Sequence, residues 1–141
     1  MSPIKILLAE DHKIVREGAR QLLEQASDLV VVGEAESGEE AVQLAGTLQP
    51  DVVVMDLRMP GLNGLEATRQ IRAAHAGVRV LMLSAYEAEQ YVVPALEAGA
   101  DGYLLKTVGG RELAQAIRNV HHGQTVLDPQ VAGLIVGRLA S

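Results

Sequence analysis

Short aliphatic runs alternate with segments of helical period along this chain. The runs predict five strands, at residues 4–9, 29–35, 52–56, 78–84 and 102–106. Runs such as VVVM at 52–55 lack any polar alternation, which is typical of strands buried on both faces of a sheet. Strands and helices in alternation, joined by short loops, predict a parallel sheet with right-handed crossovers and helices on both faces.

The segments between the strands carry the start signals and the spacing of amphipathic helices. Ser37 and Asn63 each precede a glutamate by three residues, Glu40 and Glu66, which is the pattern of a capping box. Apolar residues at helical spacing define the faces that we expect to be buried. These are Val15, Leu22 and Ala26 in the first helix, Ala41, Val42, Ala45 and Leu48 in the second, and Leu113, Ala116, Ile117 and Val120 in the fifth.

The fourth helix and the C-terminal segment depart from this regular pattern. Pro94 lies within a helical pattern, where it removes a backbone hydrogen bond and clashes with the carbonyl group of Gln90. The fourth helix is therefore expected to begin near Val93 or to bend, with a short or mobile first part. After a first domain at 1–122, we expect a linker at 123–128, a turn at Asp128-Pro129 and a sixth helix at 129–140 that presents Val131, Leu134, Ile135 and Leu139.

Composition restricts the class of protein. The chain has 141 residues, 48% of them hydrophobic and 21% charged, a balance expected for a globular domain. It has no cysteine, so disulfides and thiolate zinc sites are excluded. Neither an apolar run of about 20 residues nor a signal-peptide pattern is present, so no membrane association is expected and a cytoplasmic location is the default expectation. The net charge of −6 disfavours direct binding of nucleic acid by this fragment.

Polar groups follow four of the five predicted strands. The first strand leads into Glu10 and Asp11, and the third ends at Asp56, the fourth at Ser84 and the fifth at Lys106. Parallel sheets bind ligands outside the carboxyl ends of their strands, where the strand order reverses. If the order is 2-1-3-4-5, the reversal lies between strands one and three, and the three carboxylates converge there.

This combination predicts a site for phosphoryl transfer. Three carboxylates in one crevice need a compensating cation, and oxygen ligands suit Mg²⁺. A metal and Lys106 would bind phosphoryl oxygens, Ser84 would orient the group, and Asp56 is the best candidate for the acceptor. Each group alone has an ordinary explanation, since Asp56 precedes the turn residues Pro60-Gly61 and acids are common in first turns of helices. Their joint occurrence at four strand ends favours function.

Four segments match a known family in order and spacing. They are AEDH at 9–12, VVVMDLRMPGLNGLE at 52–66, VLMLSAY at 80–86 and AGADGYLLKT at 98–107. Together they resemble the receiver domain of bacterial two-component response regulators, and are most similar to the subfamily with a LuxR-type helix-turn-helix output domain. The resemblance extends over residues 4–122. It implies a flavodoxin-like, doubly wound α/β fold with a five-stranded parallel sheet of order 2-1-3-4-5, here with an extra C-terminal helix.

The resemblance implies roles for the residues at these positions. Asp56 would take a phosphoryl group from a sensor histidine kinase, and Lys106 would contact that group. Asp11, Asp56 and the backbone carbonyl of Arg58 would bind Mg²⁺, with Glu10 acting through water. Such a domain is expected to be a signalling phosphoacceptor and not an enzyme, although it catalyses its own phosphotransfer and dephosphorylation.

Further residues match the family's switch and tuning positions. Ser84 would move toward the phosphoryl group and Tyr103 would turn inward, which remodels the face formed by the fourth helix, fifth strand and fifth helix. Arg58 and Tyr86 flank the path of hydrolytic water and would tune the lifetime of the phosphoryl group. Thr107 occupies a position where many receivers have proline, often after a cis bond, and cis would cost about 2.5 to 4 kcal/mol here.

Three alternative functions belong to other classes. A flavodoxin-like mononucleotide binder needs a Ser/Thr/Gly-rich loop after the first strand, but residues 10–13 are EDHK. An aspartate-nucleophile phosphatase needs a second aspartate at position 58, which is arginine. A degenerate receiver that only dimerises or binds proteins would not need all five site residues. The expected whole protein controls transcription through a DNA-binding domain absent from this sequence, and the terminal helix could mediate a homodimer.

Overall fold

The computed structural model describes residues 2–140, and its strands and helices alternate along the chain. The connections between successive elements are short, and the longest, at 56–63 between the third strand and the third helix, has eight residues. In chain order the elements are β1 Ile4–Ala9, α1 Lys13–Glu24, β2 Leu29–Ala35, α2 Gly38–Leu48, β3 Val52–Met55, α3 Gly64–Ala74, β4 Arg79–Ser84, α4 Glu89–Glu97, β5 Gly102–Leu105, α5 Gly110–His121, β6 Val126–Leu127 and α6 Pro129–Ala140.

The strands form one parallel sheet of order β2-β1-β3-β4-β5-β6. The predicted fold class and the order 2-1-3-4-5 are therefore confirmed. The count of five needs correction, because β6 pairs with β5 at Gly102↔Val126 and Tyr103↔Leu127. This strand lies within the segment expected to be a linker at 123–128. Two residues give no recognisable period in sequence, and only the edge of β5 makes them a strand.

Alternate residues of the central strands contribute to two separate cores, one on each face of the sheet. Leu7 and Val53 belong to the core under α2, α3 and α4, whereas Ile6 and Val52 belong to the core under α1 and α5. Successive side chains of a strand point to opposite faces, so burial on both faces requires apolar residues at every position. This explains the unbroken apolar runs of the sequence.

The helix start signals are confirmed, but the predicted face of α1 is wrong. Ser37 caps α2 by accepting from the backbone N–H of Glu40 at 3.2 Å, and Asn63 caps α3 by accepting from that of Glu66 at 2.9 Å. In α1, however, Val15 and Leu22 are about half exposed, with relative exposures of 45% and 48%. The buried residues of this helix are instead Arg16 and Leu23. The buried face of α1 therefore includes an arginine, and a prediction from the spacing of apolar residues cannot place a charged residue on that face.

The fourth helix runs through its proline. It begins at Glu89, so the predicted start near Val93 is wrong, and Pro94 lies in its interior. Without an N–H group, Pro94 leaves the carbonyl of Gln90 without the usual helical donor. The helix is nine residues long, and a bend at Pro94 stays a prediction. Mobility of its first part stays a prediction.

The C-terminal helix lies where the sequence predicted it and packs against α4. Val131 is fully buried and Ile135 packs half-buried against the core, whereas Leu134 and Leu139 remain exposed. Asp128 anchors this helix to β5, since its backbone N–H donates to Tyr103 O at 2.8 Å and its carboxylate accepts from the N–H groups of Leu105 and Gln130. Among the residues described, no helix has the length and apolar character required to cross a membrane.

Candidate functional site

The carboxyl ends of β1 and β3 lie side by side and bring the predicted acids together. Backbone hydrogen bonds fix both ends: Glu10 N donates to Ala35 O and Asp56 N donates to Ala9 O, each at 2.9 Å. Glu10 and Asp56 are buried side chains, each with a relative exposure of 7%, and Asp11 is half-buried. The convergence expected from strand order is therefore present in the structure.

Lys106 reaches this crevice from the end of β5. Its backbone N–H donates to Ser84 O at 2.8 Å, which continues the β4–β5 pairing by one residue. Its ammonium group, Nζ, lies 2.7 Å from Glu10 Oε1 and 3.2 Å from Asp56 Oδ2. One cation therefore bridges two buried carboxylates. The peptide bond that follows, to Thr107, is trans.

The electrostatics of the two carboxylates differ. Burial and the neighbouring charge of Glu10 raise the pKa of Asp56 to about 6. Burial also acts to raise the pKa of Glu10, but hydrogen bonds from Lys106 and from the backbone N–H of His12 outweigh it and lower that pKa to about 2. Burial likewise opposes the charge of Lys106, yet its bonds to both acids leave its pKa above the ordinary value. Of these two acids, Asp56 is thus the one whose ionised form the fold stabilises less.

The residues at the crevice can supply the ligands of a metal ion. Oxygen or nitrogen atoms of Glu10, Asp11, His12 and Asp56 lie within 4.8 Å of one another. Asp11 Oδ1 is buried without a hydrogen-bond donor, and the nearest cationic partner is the His12 ring nitrogen at 3.4 Å, which is charged only if protonated. A buried oxygen that lacks a donor, in a set rich in carboxylates, fits a hard divalent cation.

His12 was not predicted as a site residue. Its side chain is exposed, and its Nδ1 lies 3.2 Å from Glu10 Oε2 while its backbone N–H donates to the same oxygen at 3.1 Å. The signal was present in the sequence, because His12 directly follows the acidic pair. An exposed residue at the N-terminus of a helix is usually only a capping residue, so position alone did not distinguish it.

Ser84, Tyr86 and Tyr103 form a connected group beside the crevice. The backbone N–H of Tyr86 donates to Ser84 Oγ at 3.0 Å, and the Tyr103 hydroxyl donates to the backbone carbonyl of Tyr86. Ser84 and Tyr103 are both fully buried. Tyr103 is therefore an inward, core-packed aromatic, and its hydroxyl is tied to the same loop residue as the serine.

The side chain of Arg58 lies over the ring of Tyr86. It is exposed, and its guanidinium carbon lies 5.6 Å from the centre of the Tyr86 ring, within the range of a cation–π contact. Tyr86 in turn packs on Tyr91 of α4 with ring centres 4.7 Å apart. The two predicted tuning residues thus contact each other and connect the loop after β3 with α4.

Gly64 brings the start of α3 against the end of β3. Its N–H donates to Leu57 O at 2.9 Å, and a Cβ atom at position 64 would lie 2.0 Å from Asp56 O. Only a residue without a side chain permits this approach. The backbone of the candidate phosphoacceptor is therefore held in place by direct contact with the first residue of a helix.

Comparisons with known proteins agree with this arrangement. The model of the response regulator receiver domain matches residues 6–118. Response regulator GacA of Pseudomonas syringae is 44% identical over 129 residues, which cover 92% of this chain and 60% of that protein. Transcriptional regulatory protein LiaR of Bacillus subtilis is 43% identical over 136 residues, covering 96% of this chain and 64% of that protein. The chain thus spans less than two thirds of the length of these relatives.

A solved structure is similar along almost the whole chain. It is a two-component response regulator of the LuxR family from Aurantimonas sp., with a TM-score of 0.94 and 39% sequence identity. The match covers 99% of this chain and 100% of that one. The similarity therefore includes the C-terminal strand and helix as well as the five-stranded unit.

Proposed function

Since this chain belongs to the response regulator receiver domain family, we propose that it accepts a phosphoryl group on Asp56 from a partner histidine kinase. Phosphotransfer signalling is the general function of that family. The observation that carries the assignment to Asp56 is the bridge that Lys106 Nζ makes between this carboxylate and Glu10, next to oxygens that can bind a metal.

The proposed step transfers the phosphoryl group from the kinase's phosphohistidine to a carboxylate oxygen of Asp56. The phosphorus–nitrogen bond breaks, its electron pair returns to the imidazole, and a phosphorus–oxygen bond forms to Asp56. With a pKa of about 6, Asp56 is mostly ionised at neutral pH and can act as a nucleophile. Lys106 is already 3.2 Å from the acceptor carboxylate and would balance charge on the phosphoryl oxygens.

We propose that Asp11, Asp56 and the backbone carbonyl of Arg58 hold a divalent cation, with Glu10 assisting through water. The unpaired, buried Oδ1 of Asp11 supports this assignment, and oxygen donors favour Mg²⁺ among the common metals. A bound cation supplies positive charge that neutralises the phosphoryl oxygens. His12 adds a fourth group to the cluster that could bind water or the cation.

The group formed by Ser84, Tyr86 and Tyr103 suggests how phosphorylation would be transmitted. A Ser84 hydroxyl that turns to donate to the phosphoryl group would give up the N–H of Tyr86. Movement of that loop residue would alter the carbonyl that holds the Tyr103 hydroxyl. The proposed output is a change on the face formed by α4, β5 and α5.

We further propose that Arg58 and Tyr86 tune hydrolysis of the phosphoryl group by the domain itself. Their mutual contact places a cation and an aromatic ring beside the acceptor loop, where they can limit the approach of water. The domain boundaries that we propose are a receiver at 1–122 and a linker with a C-terminal helix at 123–141, in which the linker contributes the short strand β6.

For the whole protein, we propose control of transcription through a separate DNA-binding domain. Relatives named as transcriptional regulators support this, and the net charge of −6 disfavours DNA binding by this chain itself. Homodimerisation is part of the proposal, because Leu134, Val136 and Leu139 of α6 are exposed.

The test is incubation with Mg²⁺ and acetyl phosphate, followed by intact-mass spectrometry. We expect one phosphoryl adduct on the wild type and none on Asp56→Asn. Asp51→Asn is a matched control, because Asp51 lies just before the opposite end of β3 and accepts from the backbone N–H of Lys5 at 2.8 Å. An unmodified wild-type protein, or an equal adduct on Asp56→Asn, would contradict the proposal.

A further inference from the structure

Arg16 is a buried cation that the proposed phosphotransfer does not use. It lies on α1 with a relative exposure of 6%, although its neighbours Val15 and Glu17 are exposed. A buried guanidinium is costly unless all of its donors have partners. Its partners therefore indicate what the residue does.

The guanidinium group of Arg16 contacts three groups at the edge of the candidate site. Its Nη1 donates to the backbone carbonyl of Glu10 at 2.8 Å. Its Nε donates to Glu34 Oε1 at 2.7 Å, and its Nη2 donates to Glu36 Oε1 at 3.2 Å. The planar fork of donors thus joins the end of β2 to the loop that follows β1.

The contact with Glu10 fixes the peptide that carries the acidic pair. The N–H of Glu10 is held by Ala35 O at 2.9 Å, and its carbonyl is held by Arg16. The carbonyl belongs to the peptide unit that leads to Asp11, so its orientation determines where the Asp11 carboxylate starts. Two independent hydrogen bonds, one on each side of Glu10, therefore restrict how both carboxylates enter the crevice.

The charge of Arg16 is balanced away from the crevice. Glu34 and Glu36 both accept from its guanidinium, and the hydrogen bond from Arg16 holds the pKa of Glu34 below its ordinary value. Arg20 donates to the other oxygen of Glu34. Glu34 and Glu36 compensate the charge of the guanidinium. It can therefore hold a backbone carbonyl beside the acidic cluster without competing strongly with a bound cation for the acidic side chains.

We propose that Arg16 is a positioning residue for the metal site, which orients the Glu10–Asp11 peptide so that both carboxylates face the cation. This inference rests on the proposed function, because it requires that the crevice binds Mg²⁺. Arg16 itself touches neither the metal nor the phosphoryl group. Loss of its contact would leave the acids in place but with a wider range of orientations.

The test compares Arg16→Gln with Arg20→Gln by calorimetric titration with Mg²⁺ alone. Both variants remove a cation that pairs with Glu34, but only Arg16 contacts the carbonyl of Glu10. We expect the dissociation constant for Mg²⁺ to rise about tenfold in Arg16→Gln, as for other groups that orient metal ligands, and to stay within about twofold of wild type in Arg20→Gln.

Arg16→Lys tests the inference if the glutamine variant does not fold. Lysine keeps the positive charge and a long stem but cannot bond three acceptors in one plane. Its affinity for Mg²⁺ should also fall, by a smaller factor, at a temperature well below its thermal transition. A purely structural role for Arg16 would lower the thermal transition and leave the Mg²⁺ dissociation constant of the folded protein unchanged.

The outcomes separate this inference from the proposed function. If wild type binds Mg²⁺ and both Arg16 variants bind it equally well, the positioning role is overturned while the proposed function stands. If Arg20→Gln weakens binding as much as Arg16→Gln, the effect comes from Glu34 and the role of the carbonyl contact is overturned. If wild type itself binds no Mg²⁺, the proposed function fails and this inference fails with it.

Discussion

Two regions of this fold, the crevice and the periphery formed by α4, β6 and α6, are stabilised in different ways. At the crevice, Glu10 and Asp56 follow the central strands β1 and β3, and the negative charge of Glu10 disfavours ionisation of Asp56. In the region of α4, β6 and α6, the elements are short, one contains a proline, and apolar side chains remain exposed. The first region combines central strands with a carboxylate whose charge is disfavoured, and the second consists of short elements at the edge of the sheet.

This difference suggests a division of labour. Rigid strands keep reactive groups within reach of one another, so that a small change of charge has a defined effect. Short peripheral elements have few contacts to lose, so they can shift at low cost. Removing the Asp56 carboxylate from the crevice should therefore stabilise the fold, whereas removing an anchor from the periphery should destabilise it.

The largest expected effect is that of Asp56→Asn on folding stability. Asp56 has a pKa raised from 3.8 to about 6 in the folded state, so its stabilising protonation is complete below its unfolded pKa and is lost as pH rises through about 6. At neutral pH without metal, the variant should therefore have a free energy of unfolding up to about 3 kcal/mol above that of wild type. Urea denaturation at several pH values measures this gain, which should vanish near about pH 4.

A stability gain that is independent of pH would contradict the electrostatic explanation for Asp56. Asp51→Asn serves again as the control, because Asp51 lies outside the crevice and carries no comparable charge conflict. That variant should show no gain at neutral pH.

Lys106→Met should act in the opposite direction within the same crevice. It removes the cation that bridges Glu10 and Asp56, at 2.7 and 3.2 Å, and leaves two buried acids uncompensated. We expect a loss of about 2 kcal/mol of unfolding free energy at neutral pH. Added Mg²⁺ should restore more stability to this variant than to wild type, and an equal response of both proteins would argue against a shared site.

Asp128→Ala tests the periphery. The carboxylate accepts from the N–H groups of Leu105 at 3.3 Å and Gln130 at 3.0 Å, so its loss leaves a buried donor on β5 and an uncapped α6. We expect a cost of about 1 kcal/mol. Amide exchange should accelerate at Leu105 and in α6, while the affinity for Mg²⁺ stays unchanged. Asp128→Asn keeps one acceptor oxygen and should lose less.

Pro94→Ala should have the smallest effect. Alanine restores an N–H group that can donate to Gln90 O. It also raises the conformational entropy of the unfolded chain, which offsets part of the gain in stability. The net stabilisation should be about 0.5 kcal/mol. Amide exchange within α4 should slow down. Faster exchange there would contradict the prediction, because it would mean that Pro94 stabilises α4 despite the missing hydrogen bond.

The fold could be predicted from the sequence because strands that are buried on both faces of a sheet appear as continuous apolar runs. Runs such as that at 52–55 must be apolar throughout, so the strands were located to within about one residue of Val52–Met55 and its neighbours. Once strand order was assumed, the acids had to meet at one edge. Elements that depend on a neighbour were missed, and β6 exists only because β5 offers it a partner.

Periodicity along the sequence also failed to predict the burial of polar residues that pair with distant partners. Arg16 resembles an exposed residue of an amphipathic helix, because nothing in its own segment shows that Glu34 and Glu36 will lie opposite it. Val15 and Leu22 consequently seemed to define the buried face of α1, although they are exposed. Long-range ion pairs have no period along the chain, so periodicity cannot find them.

The contact at Gly64 has a consequence for how the domain can vary among descendants. Because a Cβ atom there would meet the backbone oxygen of Asp56 at 2.0 Å, every substitution, including alanine, should displace the backbone of Asp56, the proposed phosphoacceptor. Selection for signalling should therefore act on position 64 as severely as on Asp56, although Gly64 contributes no chemical group. In a saturation library scored for phosphorylation, this position should tolerate nothing else, whereas Gly77, which has open space around it, should accept many residues.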